Sequence, residues 1–436
     1  MLDRIFAAGV VGAGGAGFPT HVKYKTQAEV FIVNAIECEP LLRTDRYIVE
    51  TYAPQIVEAA LQIKAHLGAK RAVVAVKAHN ASMVDALRRA VGEAEVEAEV
   101  EIYLSPSVYP AGDEQNLIYC ITGRVVPTGG LPLDVGCVVS NAATVYQVYE
   151  ALHGRPVTDK IVTIGGAVAR PMTVSAPIGT ALSDLLALAG GAVGDCVSII
   201  GGPLMGRVAE HLDGEVVTKT TGGLLALPRE AALLHRKEAE LSREVKMARA
   251  VCCQCSMCTQ MCPRNAMGLN VQPHKVMRAL AAGSCALIGP EANGVWSCCD
   301  CGICTDFACN FGLHPSKMMQ VYKGRMRESG VKPVKEVRHA PQGFENKRLP
   351  TSRLMGRLDL SRYDADAPFA GTVEVQRVQI PLKMHAGGPC KSVVSVGEAV
   401  RKGQLIARPE GLGANIHASI AGTVAAVTAQ TIEIRT

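Results

Sequence analysis

Cys252-Cys253-Gln254-Cys255-Ser256-Met257-Cys258-Thr259-Gln260-Met261-Cys262-Pro263 spaces four thiols as C-x2-C-x2-C-x3-C-P, the run that wraps thiolates around a cubic iron–sulfur cluster. A second run, Cys298, Cys301, Cys304 and Cys309, repeats it with a last gap one residue longer and Asn310 in place of the proline. Most of the 16 cysteines lie in this segment. Zinc is the competing reading, but zinc sites use two separated C-x2-C pairs, whereas three cysteines at this spacing plus a fourth suit a cluster. Where two runs occur together, the fourth cysteine of each completes the other cluster. One [4Fe-4S] cluster is therefore expected on Cys252, Cys255, Cys258 and Cys309, and the other on Cys298, Cys301, Cys304 and Cys262. Cys253 and Cys299 break the spacing and are left out. The spacer from Ala266 to Ala282 has helical periodicity, which predicts a helical ferredoxin-like domain over a compact β-containing one.

A chain of 436 residues predicts about three domains. The balance of 48% apolar and 19% charged residues excludes a disordered or collagen-like chain. No run of 18 uncharged apolar residues predicts a membrane span. A net charge of +5 is too small to argue for nucleic acid. Nothing marks the chain as secreted, so a disulfide framework is not expected. The apolar N-terminus runs directly into a glycine-rich stretch and reads as mature protein, not as a signal peptide. Residues 317–362 carry a marked excess of Lys and Arg; a solvated linker is the plain reading and a strip for docking an acidic partner the other.

Outward from the cysteines, the first 150 residues alternate strand-like and helix-like stretches: a buried strand over 30–36, a helix over 55–69, a Val-rich strand over 71–78 and a helix over 81–94. This is the rhythm of an α/β domain with a largely parallel sheet. Before it stands Gly12-Ala-Gly-Gly-Ala-Gly-Phe-Pro-Thr20. The letters satisfy G-x-G-x-x-G, but that fingerprint needs a helix to begin at the glycines, and Phe18-Pro19-Thr20 makes a poor one. A loop that lets backbone amides approach a phosphate or flat ring, with Lys23 supplying charge, is the better reading; a plain turn is the bland one. Asn34–Arg46 places Glu37 and Glu39 just past a strand end, where α/β sheets bind ligands. Tyr109–Glu114 is a turn feeding a helix, and Asn141 is an N-cap for a helix from about Ala142 to Leu152.

Those four stretches resemble, in order and in letters, the flavin- and NADH-binding subunit of respiratory complex I and the flavoprotein-like RnfC component of the Rnf electron-transport complex. With the twin-cluster segment and the C-terminal domain added, nearly the whole chain resembles the cobalamin reductases of propanediol-utilisation microcompartments. The resemblance implies FMN in the first domain, contacted by Gly12, Gly14, Gly15, Lys23, Asn34, Glu37, Tyr109, Gly112, Asp113, Glu114, Asn141 and Thr144. It also implies that Phe18 and Glu39 face NADH. Ala13 and Ile36 depart from the complex I pattern, replacing an arginine and an aspartate.

The fold class expected is a multidomain α/β + α + β chain. Its parts are a complex I flavin-subunit-like α/β domain over 1–156, a β-grasp-like (SLBB) module over 157–229 and a helical two-cluster ferredoxin domain over 230–328. A basic linker over 329–368 and a C-terminal barrel-sandwich hybrid over 369–436 complete it. A covalent carrier of the last type presents a lysine at its hairpin tip, but the tip here reads Asn415-Ile-His-Ala-Ser, so docking or packing is expected instead. The expected activity is an NADH-dependent oxidoreductase in which FMN and two [4Fe-4S] clusters pass electrons singly to an acceptor. The resemblance makes that acceptor cobalamin, implies an adenosyltransferase partner and microcompartment shell or core proteins as further contacts, and places the protein in the cytoplasm, inside or attached to a microcompartment. Two other readings stay open: an electron-input subunit of a membrane complex exchanging electrons with ferredoxin, and a non-catalytic iron–sulfur scaffold.

Overall fold

Val30–Asn34 (β1) is four apolar residues and a terminal asparagine, the four all buried, as a strand covered on both faces requires. In the computed structural model, which describes residues 1–337 and 343–436, it lies at the centre of a four-stranded parallel sheet. Arg71–Lys77 (β2) and Val100–Ser105 (β3) extend the sheet on one side. The two-residue strand Val108–Tyr109 (β4) stands outside it, and Cys137–Asn141 (β5) closes the other side.

Helix Thr44–Leu67 packs over the sheet, begins well before the expected 55 and ends on left-handed Gly68. The early start escaped the sequence because Pro54 sits inside; the helix absorbs it with a kink at Tyr52, whose φ of −121° is non-helical. Helix Ala142–Leu152 begins where expected, with Asn141 Oδ1 accepting from the Ala143 amide at 2.9 Å.

The following module is a six-stranded mixed sheet, and its outermost strand is a surprise. Phe369–Thr372, expected to open the C-terminal barrel, instead runs parallel to Met172–Pro177. Between Leu241 and Glu328 there are only helices and 3-10 turns, so the cluster domain is helical, as the spacer periodicity implied.

The basic stretch is not simply a solvated linker. Leu349–Pro350 pairs antiparallel with β4, and Leu354, Leu358 and Leu360 are buried against Leu41, Tyr109 and Ile303. The charge excess masked these leucines, which strap the flavin domain to the cluster domain. Arg338 and His339, part of the same stretch, lie outside the described residues.

Two small antiparallel sheets form the C-terminal barrel. Its core residues Val378, Ile380, Ile432 and Ile434 are continuous with the core of the parallel-sheet domain. The supposed tip is packed away, with Asn415, His417 and Ser419 all buried. Beneath it Lys219, fully buried, donates from Nζ to the carbonyl oxygens of Gly9 and Asn415, each at 2.6 Å. Among the described residues no helix is long and apolar enough to cross a membrane.

Candidate functional site

At the carboxyl ends of β1 and β5 opens a cleft of about 1050 Å³, at the top of the range for small-molecule sites. Every flavin- and NADH-side candidate lines it: Gly12, Gly14, Gly15, Phe18, Lys23, Asn34, Glu37, Glu39, Tyr109, Gly112, Asp113, Glu114, Asn141 and Thr144. The glycine stretch is a pinched hairpin, not a helix start. Gly12 N donates to Phe18 O at 2.9 Å, and Val11 bridges Pro19. A side chain on Gly14 would press on Asn141, its Cβ standing 3.1 Å from Cγ, whereas at Gly15 a Cβ would meet open space. The donor set fits a flat ring with an anionic tail: glycine backbone that can be approached closely, with one lysine at the edge.

The acidic candidates have structural partners of their own. Glu37 accepts from the Thr44 hydroxyl at 2.9 Å and from the Asp45 and Arg46 amides, capping helix Thr44–Leu67. Glu39 accepts from the Leu204 and Met205 amides at 2.8 and 3.1 Å, which ties the cleft to the neighbouring module. Burial raises its carboxyl to about 7, against the pull of those amides and of Lys237. Asn34 Nδ2 donates to Gly112 O at 2.9 Å, holding the Tyr109–Glu114 turn to β1. Lys23 meets Glu114 across the rim at 3.2 Å, and Phe18 is exposed on the cleft.

Sequence reasoning missed two charged residues lining the cleft, half-buried Asp45 and buried Lys160. Asn141 Nδ2 donates to both Asp45 oxygens, at 3.1 and 2.9 Å. Burial, and then Glu37, push the Asp45 carboxyl up to about 7. Lys160 donates to Ala13 O at 3.1 Å, and burial lowers it to about 8 while Asp45 opposes the shift. Asp45 stood in a quoted stretch; Lys160 lies in a strand with no motif to mark it.

The cluster segment forms the far wall of the same cleft, where Cys299 and Cys301 line it. Tyr109 Oη donates to Cys301 O at 2.8 Å across 192 residues of sequence. Cys258 is pushed up to about 12 by burial and then by Cys309, Cys252 and Cys255. Cys304 is raised by burial and then by Cys298, Cys262 and Cys258, a thiol of the first run.

The two cysteine loops share a backbone path despite their different letters. Residues on both sides of the middle cysteine have positive φ: Gln254 (58°) and Ser256 (59°) in the first, Asp300 (57°) and Gly302 (79°) in the second. Three of the four are not glycine, so each loop stores strain that a bound group can offset. Spaced thiols, with Cys258 and Cys304 buried and most of the others partly so, fit an iron–sulfur core, which binds them as thiolates. Cys253 and Cys255 are exposed, whereas no thiol of the second set is, and Cys301 of that set lines the cleft.

Comparison with known proteins agrees part by part. The chain matches the Nuo51 FMN-binding domain over residues 5–150, the SLBB domain over 161–208, the 4Fe-4S dicluster domain over 251–314 and the RnfC barrel sandwich hybrid domain over 363–436. It is 39% identical to cobalamin reductase PduS of Salmonella typhimurium, across 99% of this chain and 95% of that protein. Identity to cobalamin reductase PduS of Citrobacter freundii is 37% at the same coverage. The C component of the ion-translocating oxidoreductase complex of Erwinia tasmaniensis is 35% identical across 60% of this chain and 32% of its own length.

Proposed function

Because the chain belongs to the cobalamin reductase PduS family, we propose that it carries electrons from NADH, through FMN and two [4Fe-4S] clusters, to cobalamin. It is an iron–sulfur flavoprotein oxidoreductase. FMN, when bound, turns the electron pair of a hydride into single-electron transfers. The glycine loop would let Gly12, Gly14 and Gly15 approach the ring and phosphate, with Lys23 as the countercharge. Asn34, Glu37, Tyr109, Gly112, Asp113, Glu114, Asn141 and Thr144 would set its place, and Phe18 and Glu39 would face the nicotinamide nucleotide.

Cys252, Cys255, Cys258 and Cys309 would hold one cluster, and Cys262, Cys298, Cys301 and Cys304 the other. The observation that carries this reading is the shared wall: Cys299 and Cys301 line the cleft that the glycine loop lines, so an electron need not cross solvent. The units over 1–156, 157–229, 230–328 and 369–436 would act as flavin domain, spacer, relay and buttress, with 329–368 strapping two of them together. An adenosyltransferase that consumes reduced cobalamin is the expected partner, inside or attached to a microcompartment.

The test is an anaerobic assay of purified protein with NADH and either hydroxocobalamin or ferredoxin, beside iron and flavin analysis. Cobalamin reduction with about eight irons and one FMN per chain is expected. Reduction of ferredoxin alone would move the protein to the membrane-complex reading, and zinc in place of iron would remove the relay.

A further inference from the structure

The least satisfied cation among the described residues stands at the seam between the cleft and the cluster segment. Arg264 is only 6% exposed. Its Nη2 donates to Asp113 Oδ2 at 2.7 Å, but Nε and Nη1 are buried without an oxygen or nitrogen partner. Unpaired buried donors are costly, and more so on a charged group. What they face is sulfur. Arg264 follows Cys262 by two positions, the amides of Asn265 and Arg264 are aimed at the Cys262 thiol, and the guanidinium is directed at the Cys299 thiol as a hydrogen-bond donor. The other end of the ion pair belongs to the flavin side: Asp113 lines the cleft and caps helix Glu114–Thr122 through the Asn116 amide.

We propose that Arg264 is a positioning residue for the cluster held by Cys262, Cys298, Cys301 and Cys304: the N–H groups not taken by Asp113 hydrogen-bond a sulfur of that cluster, and its pair with Asp113 fixes the cluster against the flavin cleft. This rests on the two-cluster reading above. Hydrogen bonds and positive charge at cluster sulfurs favour the reduced state, which carries one more electron. The cluster nearer the cleft is therefore the more easily reduced of the two and the first to accept an electron from the flavin side, and the exposed set around Cys255 is the exit.

The test is an anaerobic redox titration followed by electron paramagnetic resonance on wild type, Arg264→Gln and Arg264→Lys, each with iron and flavin content measured. In Arg264→Gln the midpoint of one cluster falls by at least a tenfold change in its reduction equilibrium, which is about 59 mV for a one-electron couple, while the other cluster and the flavin keep theirs. Arg264→Lys, which retains charge without the planar fork, shows a smaller fall at the same cluster. If Arg264→Gln does not retain iron, Arg264→Lys decides alone: a fall confined to one cluster supports the proposal and an unchanged midpoint overturns it. Two wild-type signals with neither moved in Arg264→Gln overturn the proposal alone. A wild type with no second signal brings down the two-cluster reading as well.

Discussion

Asp45 shows how a single half-buried carboxyl shapes the cleft. Its carboxyl sits at about 7 in the folded chain against 3.8 for an unburied one. Between those values the unfolded chain releases this proton while the folded chain keeps it, so the Asp45 contribution to stability falls as pH rises from about 4 to about 7. Asp45→Asn, which cannot ionise, is expected to melt with a flatter pH dependence across that window; parallel slopes in thermal melts of the two proteins would contradict this. The nearness of Lys160 was invisible in the sequence because the two residues lie far apart and neither sits in a spaced pattern. Asn141, by contrast, was legible: a polar residue at the end of a Val-rich strand and before a helical stretch has few other roles than an N-cap.

Among the elements, the strap from Leu349 to Leu360 departs furthest from expectation. Charge counts describe what a segment shows to water, and here they hid four leucines placed to pack on both domains. Leu354 is fully buried, so Leu354→Ala is expected to destabilise the protein by about 2–5 kcal/mol. A solvated linker would tolerate the change, with denaturant midpoints within error of wild type. The cysteine loops illustrate the opposite case. Ligand spacing is a local property written directly in the letters, and the second loop adopts the conformation of the first even though its spacing departs at the end and Asn310 replaces the proline. Strand Phe369–Thr372 was assigned to the barrel because a short β-rich run carries no mark of which sheet it will join.

Across the whole molecule, the proposed function places the parts in series: cleft, the thiol set that reaches it, then the set around exposed Cys255. On that proposal Cys255→Ala removes a ligand from the outer set, and is expected to abolish delivery to an external acceptor while NADH still bleaches the flavin absorbance. Loss of bleaching in that variant would mean that the order is wrong. Domain succession and the parallel sheet were legible in the sequence because each repeats a periodicity over many residues. Contacts between units were not, since they depend on surfaces that form only after folding; the barrel residue Ala386 donating to Gly17 of the glycine loop at 3.0 Å is one.

The buried ammonium of Lys219 has a consequence for how the protein comes apart. Undocking the barrel would strand two carbonyls and a primary amine that now satisfy one another, while prying apart a continuous apolar interior. Barrel, amino-terminal arm and parallel sheet should therefore melt in a single calorimetric transition, and a chain nicked by protease near residue 370 should still elute from a sizing column as one particle.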